Sequence, residues 1–559
     1  VIRVRRDLGD FQTPPGLVRE ILAYLGPIGR RWPRVLEPGC GRGHFIAGLL
    51  AVSDPPAEIQ GIEIQGGHAR AARAVSRVGG TPGVRVKVAH RDLFDIDLSR
   101  DLRWRGHGPL LVIGNPPWVT NSELGSMENS TRPPRRNIKG LRGLEAVTGS
   151  SNFDVTEAIW LKLAFELAQE RPTIALLCKT SVARTVLQFA HKAGLAIEMA
   201  SIHRIDAPRW FGASVDACLF CVTLGAKTDS GPRVQVTPGH AGAITSRTSE
   251  PAGPGSLRIP VYADLGQSKP EALMGFAGGW LIADLPSYQD WAIADGVCPM
   301  EWRQGMKHDA AAVMELSRDR AHGWWCNRHG EVVDVEPDFI YPLVKGTDLT
   351  RPVEGRTDRA ILVTQEHLGA DTASIADRAP RLWAYLQAHA ASFSRRKSSI
   401  YRGRPPFSLF GIGPYSFAAY KVAISGMLKR PLFRALGPID GRPTMLDDTC
   451  YFLPCATAEE GAIVAALCND PLVLGLMSAI TFRDAKRPIT KKLLQRIDLS
   501  AVCHQTDRRE LVARATMLLR DELAAQCTLP LLSIALGLEQ KWARPATSGM
   551  PGGRSSHPA

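Results

Sequence analysis

Seven short apolar runs punctuate the first 225 residues, at 34–37, 58–64, 84–89, 110–113, 173–178, 196–202 and 217–224. They are nearly continuous rather than alternating, which suits strands buried on both faces, as in a parallel sheet covered by helices. Helical patterns lie between them. The clearest spans 154–170, where Asp154 can cap and Glu157 stands at the capping-box spacing. Val155, Ala158, Ile159, Lys162, Phe165 and Glu166 then follow helical steps. The pattern predicts an α/β doubly wound domain over residues 1–228. Residues 121–152 break it with a Gly-, Ser-, Pro- and Arg-rich stretch, too long for an ordinary connection and expected to be a functional loop. Residues 229–256 read as a linker or surface insertion, 257–545 as a mixed α+β region, and 546–559 as a disordered tail. An amphipathic helix is expected over 506–527.

Composition narrows the class. The chain has 559 residues and a formal charge of +13. The excess is spread out: 29 basic and 21 acidic residues lie up to Leu224, 39 and 34 beyond it. A polyanionic partner is favoured by this. Eleven cysteines without a framework suit a reducing, cytoplasmic setting. No apolar run nears the ~18 residues of a membrane helix. A secreted disulfide scaffold, a membrane partner and a disordered polyelectrolyte are therefore not expected. Cys218 and Cys221 form a C-x-x-C, but they should face opposite sides of a strand and have no second pair at zinc spacing. They read as core thiols, and no metal site is expected.

The chemistry begins at Glu37-Pro38-Gly39-Cys40-Gly41-Arg42-Gly43, between a strand and a helix. Three glycines permit a tight turn and a close ligand approach. A dinucleotide fingerprint would want glycine at 44, which is His44, and no P-loop Lys-Ser/Thr comes after it. Glu37 would repel a pyrophosphate but attract a cation. S-adenosylmethionine, with its ammonium and sulfonium, suits the loop better than a nucleotide phosphate. Glu63, 26 residues on, stands where doubly wound folds place a ribose-binding acid, with Ile64 beside it. Asp92 closes a third strand and can accept from an adenine amine, with Leu93 or Phe94 packing nearby.

The fourth strand ends in Asn115-Pro116-Pro117-Trp118, at the edge where open α/β sheets bind ligands. Each proline fixes φ and lacks a donor, so the Asn115 amide oxygen and the Pro116 carbonyl become fixed acceptors. Such a pair suits a planar amine conjugated to a ring. Accepting both amine hydrogens makes the nitrogen nucleophilic, and Trp118 offers a face for stacking.

Phe11-Gln12-Thr13-Pro14, the glycine loop, Glu63, Asp92 and Asn115-Pro116-Pro117-Trp118 occur in that order. The chain thus resembles the gamma-class adenine-specific DNA methyltransferases of type II restriction–modification systems, over about residues 10–224. The resemblance implies a class I S-adenosylmethionine-dependent (Rossmann-like) catalytic domain followed by a target-recognition region. It implies that the segment Phe11–Pro14 closes over the methionine end of the cofactor, with Thr13 as the contact. It also implies a later aromatic over the flipped base; Phe211 fits best and Trp210 competes. Residues 178–181 resemble a strand end that shapes the pocket. Trp118 departs from the commoner Tyr or Phe but keeps a stacking face.

The expected reaction is methylation of the exocyclic amine of a flipped adenine in double-stranded DNA, without a covalent enzyme intermediate. Unstacking costs a few kcal/mol, offset by stacking worth ~1–3 kcal/mol per base. Only ten residues precede Phe11, so modification without cleavage is expected, with any restriction endonuclease a separate protein. Two basic segments are candidate DNA contacts: Arg395, Arg396, Lys397, Tyr401, Arg402 and Arg404, and then Arg483, Lys486 and Arg487. A solvated charged face is the competing reading of both. RNA adenine or protein glutamine methylation, and an inactive DNA-binding module with this fold, are the alternatives. Residues 342–348 resemble a segment in the recognition portions of related enzymes.

Overall fold

The computed structural model describes residues 12–79, 81–119, 154–226, 257–319, 321–351 and 358–543. Two compact units divide at Leu285.

In the first unit, strands β1 (Arg34–Pro38), β2 (Glu58–Glu63), β3 (Arg85–His90), β4 (Leu110–Gly114), β5 (Thr173–Lys179), β6 (Ile197–Ile205) and β7 (Ala217–Leu224) occupy all seven apolar runs. Their order across the sheet is β6-β7-β5-β4-β1-β2-β3. β1 pairs in parallel with β2 and β4, β2 with β3, and β4 with β5, whereas β7 runs antiparallel between β5 and β6. Residues of β1, β2 and β4 are buried throughout, as unalternating hydrophobicity requires. The order reverses beside β1, where β4 lies on one side and β2 on the other. That is the switch point where doubly wound sheets open a crevice.

Helices α1 (Pro15–Leu25), α2 (His44–Ala51) and α3 (Gly66–Val78) precede β3. α1 buries Leu17, Val18, Ile21, Leu22 and Leu25, one helical stripe. It presses so closely on α2 that a Cβ at Gly48 would meet Val18 Cγ1 at 2.6 Å. Helix α4 (Val155–Glu166) is buried at every position from Val155 to Ala164. Asp154 caps it by accepting from the Thr156 amide at 3.0 Å. The expected reciprocal bond from Glu157 is not made. Glu157 is buried instead, and its carboxyl is pushed up to about 7 by burial first and by the Asp154 charge second. Helix α5 (Thr180–Lys192) comes after β5, and a short helix α6 (Ala207–Phe211) after β6.

One boundary differs from expectation. The sequence pattern assigns residues 257–285 to the recognition region, but strands β8 (Ile259–Tyr262), β9 (Ala272–Ala277) and β10 (Trp280–Ile282) extend the first unit's sheet beyond β6 to ten strands. β8 adds in parallel to β6, and β9 and β10 are added antiparallel. These strands are short and lie after the linker, so sequence order alone places them with the second unit.

The second unit, Pro286–Ala559, is α+β as its irregular periodicity predicts. It holds a four-stranded and a five-stranded sheet among its described residues. The stretch at 342–348 ends a strand (Ile340–Val344) and then turns tightly: Asp348 accepts from the Lys345 amide at 2.9 Å and pairs with Arg359 at 2.8 Å. The helix expected over 506–527 spans Arg508–Asp521, capped by Asp507. The stretches at 121–152 and 229–256 and the tail at 546–559 lie wholly or almost wholly outside the described residues. Among the described residues no single helix is long and apolar enough to cross a membrane; one bent pair, Ala458–Cys468 and Pro471–Ile480, passes by length and composition and is largely buried within the second unit.

Candidate active site

A cavity of about 240 Å³ opens at the carboxyl ends of β1, β2, β3 and β4. Its floor is the glycine loop. Gly39, Gly41 and Gly43 have φ of +74°, +52° and +86°, a left-handed backbone that residues with a Cβ rarely adopt. Each turn of the loop is pinned. The amides of Gly39 and Cys40 both donate to the Ile62 carbonyl at 2.8 Å, and the Gly43 amide donates to the Cys40 carbonyl at 2.9 Å. At Gly43 a Cβ would also meet the Ala72 Cα of α3 at 2.9 Å. Glycine there lets α2 and α3 approach each other.

Carboxylates ring this floor. Glu37, at the end of β1, is 2% exposed, and its Oε2 has no hydrogen-bond partner among the described residues. Burial, then the Glu63 charge, raises its pKa well above the ordinary carboxylate range. Glu63 is held by backbone: Oε2 accepts from the Gly41 amide at 2.8 Å and Oε1 from the Gln65 amide at 2.7 Å. Each of its oxygens keeps a second lone pair. Asp92 Oδ1 accepts from the Phe94 amide at 2.9 Å, and burial raises its pKa. Cys40 lines the cavity as a buried thiol whose pKa is driven up by burial and by both glutamates, the opposite of an activated nucleophile.

Thr13, Glu37, Gly39, Cys40, Gly41, Glu63, Ile64, Asp92, Leu93, Asn115 and Pro117 all line this one cavity. Pro14, Pro38 and Gly43 do not line it, and Phe11 lies outside the described residues. Gln12, of the segment before α1, and Phe94, the alternative to Leu93, line it as well, as do His44, Gln65 and His68, to which sequence reasoning gives no role. His44 carries a signal, as the first helical residue after the glycines. Its Nδ1 lies 2.7 Å from the Thr13 carbonyl, while Gln12 Oε1 accepts from the Arg42 amide at 3.1 Å. Those two contacts strap the segment before α1 onto the loop.

The corner after β4 departs from expectation at Trp118. Pro116 and Trp118 are buried, and neither lines the cavity. Trp118 is 5% exposed, donates Nε1–H to the Leu177 carbonyl at 3.2 Å and belongs to the unit's hydrophobic core. An indole is large enough to reach across to β5, which a sequence reading of stacking capacity does not reveal. Phe211 meets it edge-on, with ring centroids 5.1 Å apart and planes at 69°. Trp210 points elsewhere, with its ring 3.1 Å from the Cβ position of Gly16. Of the two competing aromatics, Phe211 is therefore the one beside the corner.

Cys218 is buried, with its Sγ 3.8 Å from Cys178 across the β5–β7 pair; Cys221 is partly buried, and both are free thiols.

In the second unit the basic segments divide. Arg396 turns inward: its guanidinium donates to the carbonyls of Phe393, Pro406 and Ser408 at 3.1, 2.7 and 2.7 Å and lies 3.8 Å above the Tyr401 ring. It staples a loop, and it also lines the open cavity that Lys397, Arg402 and Arg404 share. Arg395, Lys397, Arg402 and Arg404 are exposed, as are Arg483, Lys486 and Arg487. Lys397, Arg402 and Arg404 share an open cavity with Tyr401. Arg487 approaches Asp448 at 3.5 Å.

No family model matches the chain. Among curated proteins, the type II methyltransferase M.NspV of Nostoc sp. is 33% identical over 503 residues, spanning 90% of this chain and 98% of that protein. Among solved structures, the type IIL restriction–modification enzyme MmeI, determined in complex with DNA, superposes with a TM-score of 0.53 at 12% identity, over 95% of this chain and 71% of that one. That likeness bears on the fold, an α/β class I methyltransferase domain with an added domain. Identity of 33% over nearly the full length of both proteins carries more: the chain belongs to the type II methyltransferases of restriction–modification systems.

Proposed function

We propose that the protein is a site-specific DNA adenine methyltransferase that transfers a methyl group from S-adenosylmethionine to the exocyclic amine of an adenine flipped out of the duplex. The observation that carries the reading is the shared cavity. Asn115 and Pro117 face the same space as Glu37, Glu63 and Asp92, so a nucleophile-orienting corner and a cation-attracting cradle meet at one switch point.

The residues fit the cofactor. The buried Glu37 Oε2 without a partner is suited to a cationic ammonium, since an unmatched buried carboxylate is otherwise costly. Glu63 would take ribose hydroxyls on its remaining lone pairs, and Asp92 the adenine amine. Thr13 and Pro14, strapped over the loop, would cover the methionine end. When bound, S-adenosylmethionine supplies an electrophilic methyl on a sulfonium. Asn115 Oδ1 and the Pro116 carbonyl would accept the two amine hydrogens, freeing the nitrogen lone pair for attack on the methyl; the methyl–sulfur bond breaks to leave a thioether, and one amine proton is released to solvent. Phe211 would cover the extruded base, and stacking on Trp118 would require the Phe211 edge to move aside. Exposed Arg395, Lys397, Arg402, Arg404, Arg483, Lys486 and Arg487 would contact phosphates. A separate endonuclease would cleave the unmodified site. The supporting MmeI structure contains DNA, and that favours DNA over RNA or a protein amide. Tritiated methyl transfer to duplex DNA, structured RNA and release factors, compared side by side, tests the assignment; transfer to duplex DNA alone is expected.

A further inference from the structure

The corner Asn115–Trp118 contains two prolines and therefore lacks two backbone donors. Proline fixes φ near −65° but leaves ψ soft, so something else must hold the carbonyls in direction. Three contacts anchor the corner. Val155 donates its amide to the Val119 carbonyl at 3.0 Å. Trp118 Nε1 donates to Leu177 of β5 at 3.2 Å. Thr156 Oγ1 donates to the Pro117 carbonyl at 2.9 Å.

The third is the informative one. Thr156 is fully buried and sits at the second position of α4. A hydroxyl inside a helix commonly bonds back to the carbonyl four residues earlier, but here that residue lies before the helix begins. The hydroxyl crosses instead to another segment. It is held on course from below: the Thr156 amide donates to Asp154 Oδ1 at 3.0 Å, and Asp154 Oδ2 accepts from Lys179 Nζ, at the end of β5, at 2.8 Å. The chain of contacts runs from β5 through Asp154 and Thr156 to Pro117. Its neighbours Val155 and Ile159 line the cavity, so α4 is both a cavity wall and the anchor of the corner.

We propose that Thr156 is a positioning residue for methyl transfer, whose hydroxyl fixes the Pro117 carbonyl and thereby the direction of Asn115 and the Pro116 carbonyl toward the target amine. The inference rests on the function proposed above. A displacement of about 1 Å at a reacting centre costs ~10²-fold in rate, and Thr156 touches neither the cofactor's cradle nor the base. Its loss should therefore appear in kcat and not in cofactor affinity.

The test compares Thr156→Val, which keeps the shape and removes the hydroxyl, with Thr156→Ser, which keeps the hydroxyl. The substrate is plasmid DNA from a methylation-deficient host, and S-adenosylmethionine affinity is measured by calorimetry without DNA. Thr156→Val should lower kcat roughly 10- to 100-fold with the S-adenosylmethionine Kd within about twofold of the parent, and Thr156→Ser should regain most of the rate. Parental kcat in Thr156→Val, equal loss in both variants, or a Kd that rises in step with the fall in kcat would each overturn the proposal. If Thr156→Val does not fold, Thr156→Cys, a weaker donor, must fall between Ser and the loss otherwise expected of Val; a parental rate there overturns it equally. A parent chain that transfers no methyl to DNA overturns the function itself, whereas an active parent with an indifferent Thr156 overturns only this inference.

Discussion

Glu37→Gln separates binding from folding, because the same carboxylate is assigned to both with opposite signs. In the free protein the carboxyl is buried, has one oxygen without a partner, and stands near Glu63. Its pKa is raised in the folded state, so folding takes up a proton at pH values between the ordinary carboxylate range and the raised value. By linkage, this group contributes its least unfavourable term at low pH, and stability falls as pH rises through that window. Glutamine carries no charge, and its amide can donate toward Glu63. The free variant should therefore be more stable than the parent at pH 8, by about 1–3 kcal/mol, the cost of an unsatisfied buried polar group, and the gap should close toward pH 4.5. Cofactor affinity should move the other way. A hydrogen bond to a charged partner is worth ~1.5–3 kcal/mol, so the S-adenosylmethionine Kd should rise roughly 10- to 100-fold. An ammonium beside Glu37 also draws its pKa down, so binding by the parent below the raised pKa should release a proton. Calorimetry in buffers of different ionisation enthalpy reads that proton directly, and the slope should vanish in Glu37→Gln. A variant that binds like the parent, or one less stable at pH 8, would refute the assignment of Glu37 to the ammonium.

Gly43→Ala forces a left-handed backbone on alanine at φ +86° and drives its Cβ to 2.9 Å from Ala72 Cα. The conformational term of ~1–2 kcal/mol and the overpacking term of ~1–3 kcal/mol add to a loss of about 2–5 kcal/mol, read from urea unfolding of the catalytic unit; a change below about 0.5 kcal/mol contradicts it. Replacing Arg402 and Arg404 together with alanine should weaken binding to duplexes of any sequence and make the slope of log K against log salt shallower by about 2, near 0.9 per phosphate contact. An unchanged slope would remove that cavity from the DNA interface, and Arg396→Ala should instead lower stability.

The catalytic core was legible because its signals are local. All seven runs became strands, although the run at 84–89 alternates and its edge strand β3 is mostly exposed or half-buried; the acids and two of the three glycines at the carboxyl ends converged on one cavity, since β1, β2, β3 and β4 are neighbours in a parallel sheet. The features that escaped the sequence depend on contacts between distant segments. Trp118 looked available for stacking, but its indole reaches a carbonyl 59 residues away. Arg396 looked like a phosphate contact, but carbonyls of its own loop take up its donors. Glu157 had the spacing of a capping box, yet Lys179, from the next strand, compensates the capping Asp154. Strands β8, β9 and β10 lie beyond an insertion, and only pairing with β6 shows to which unit they belong.

In the proposed function the Asn115 corner and the Glu37 cradle act on one adenine amine. Methylation-aware sequencing of DNA from cells expressing the chain, beside cells expressing Asn115→Ala, tests it most directly. N6-methyladenine is expected at one short recurring sequence with the parent chain and none with the variant. Methylated cytosine in place of adenine, or the same adenine pattern from Asn115→Ala, would contradict it.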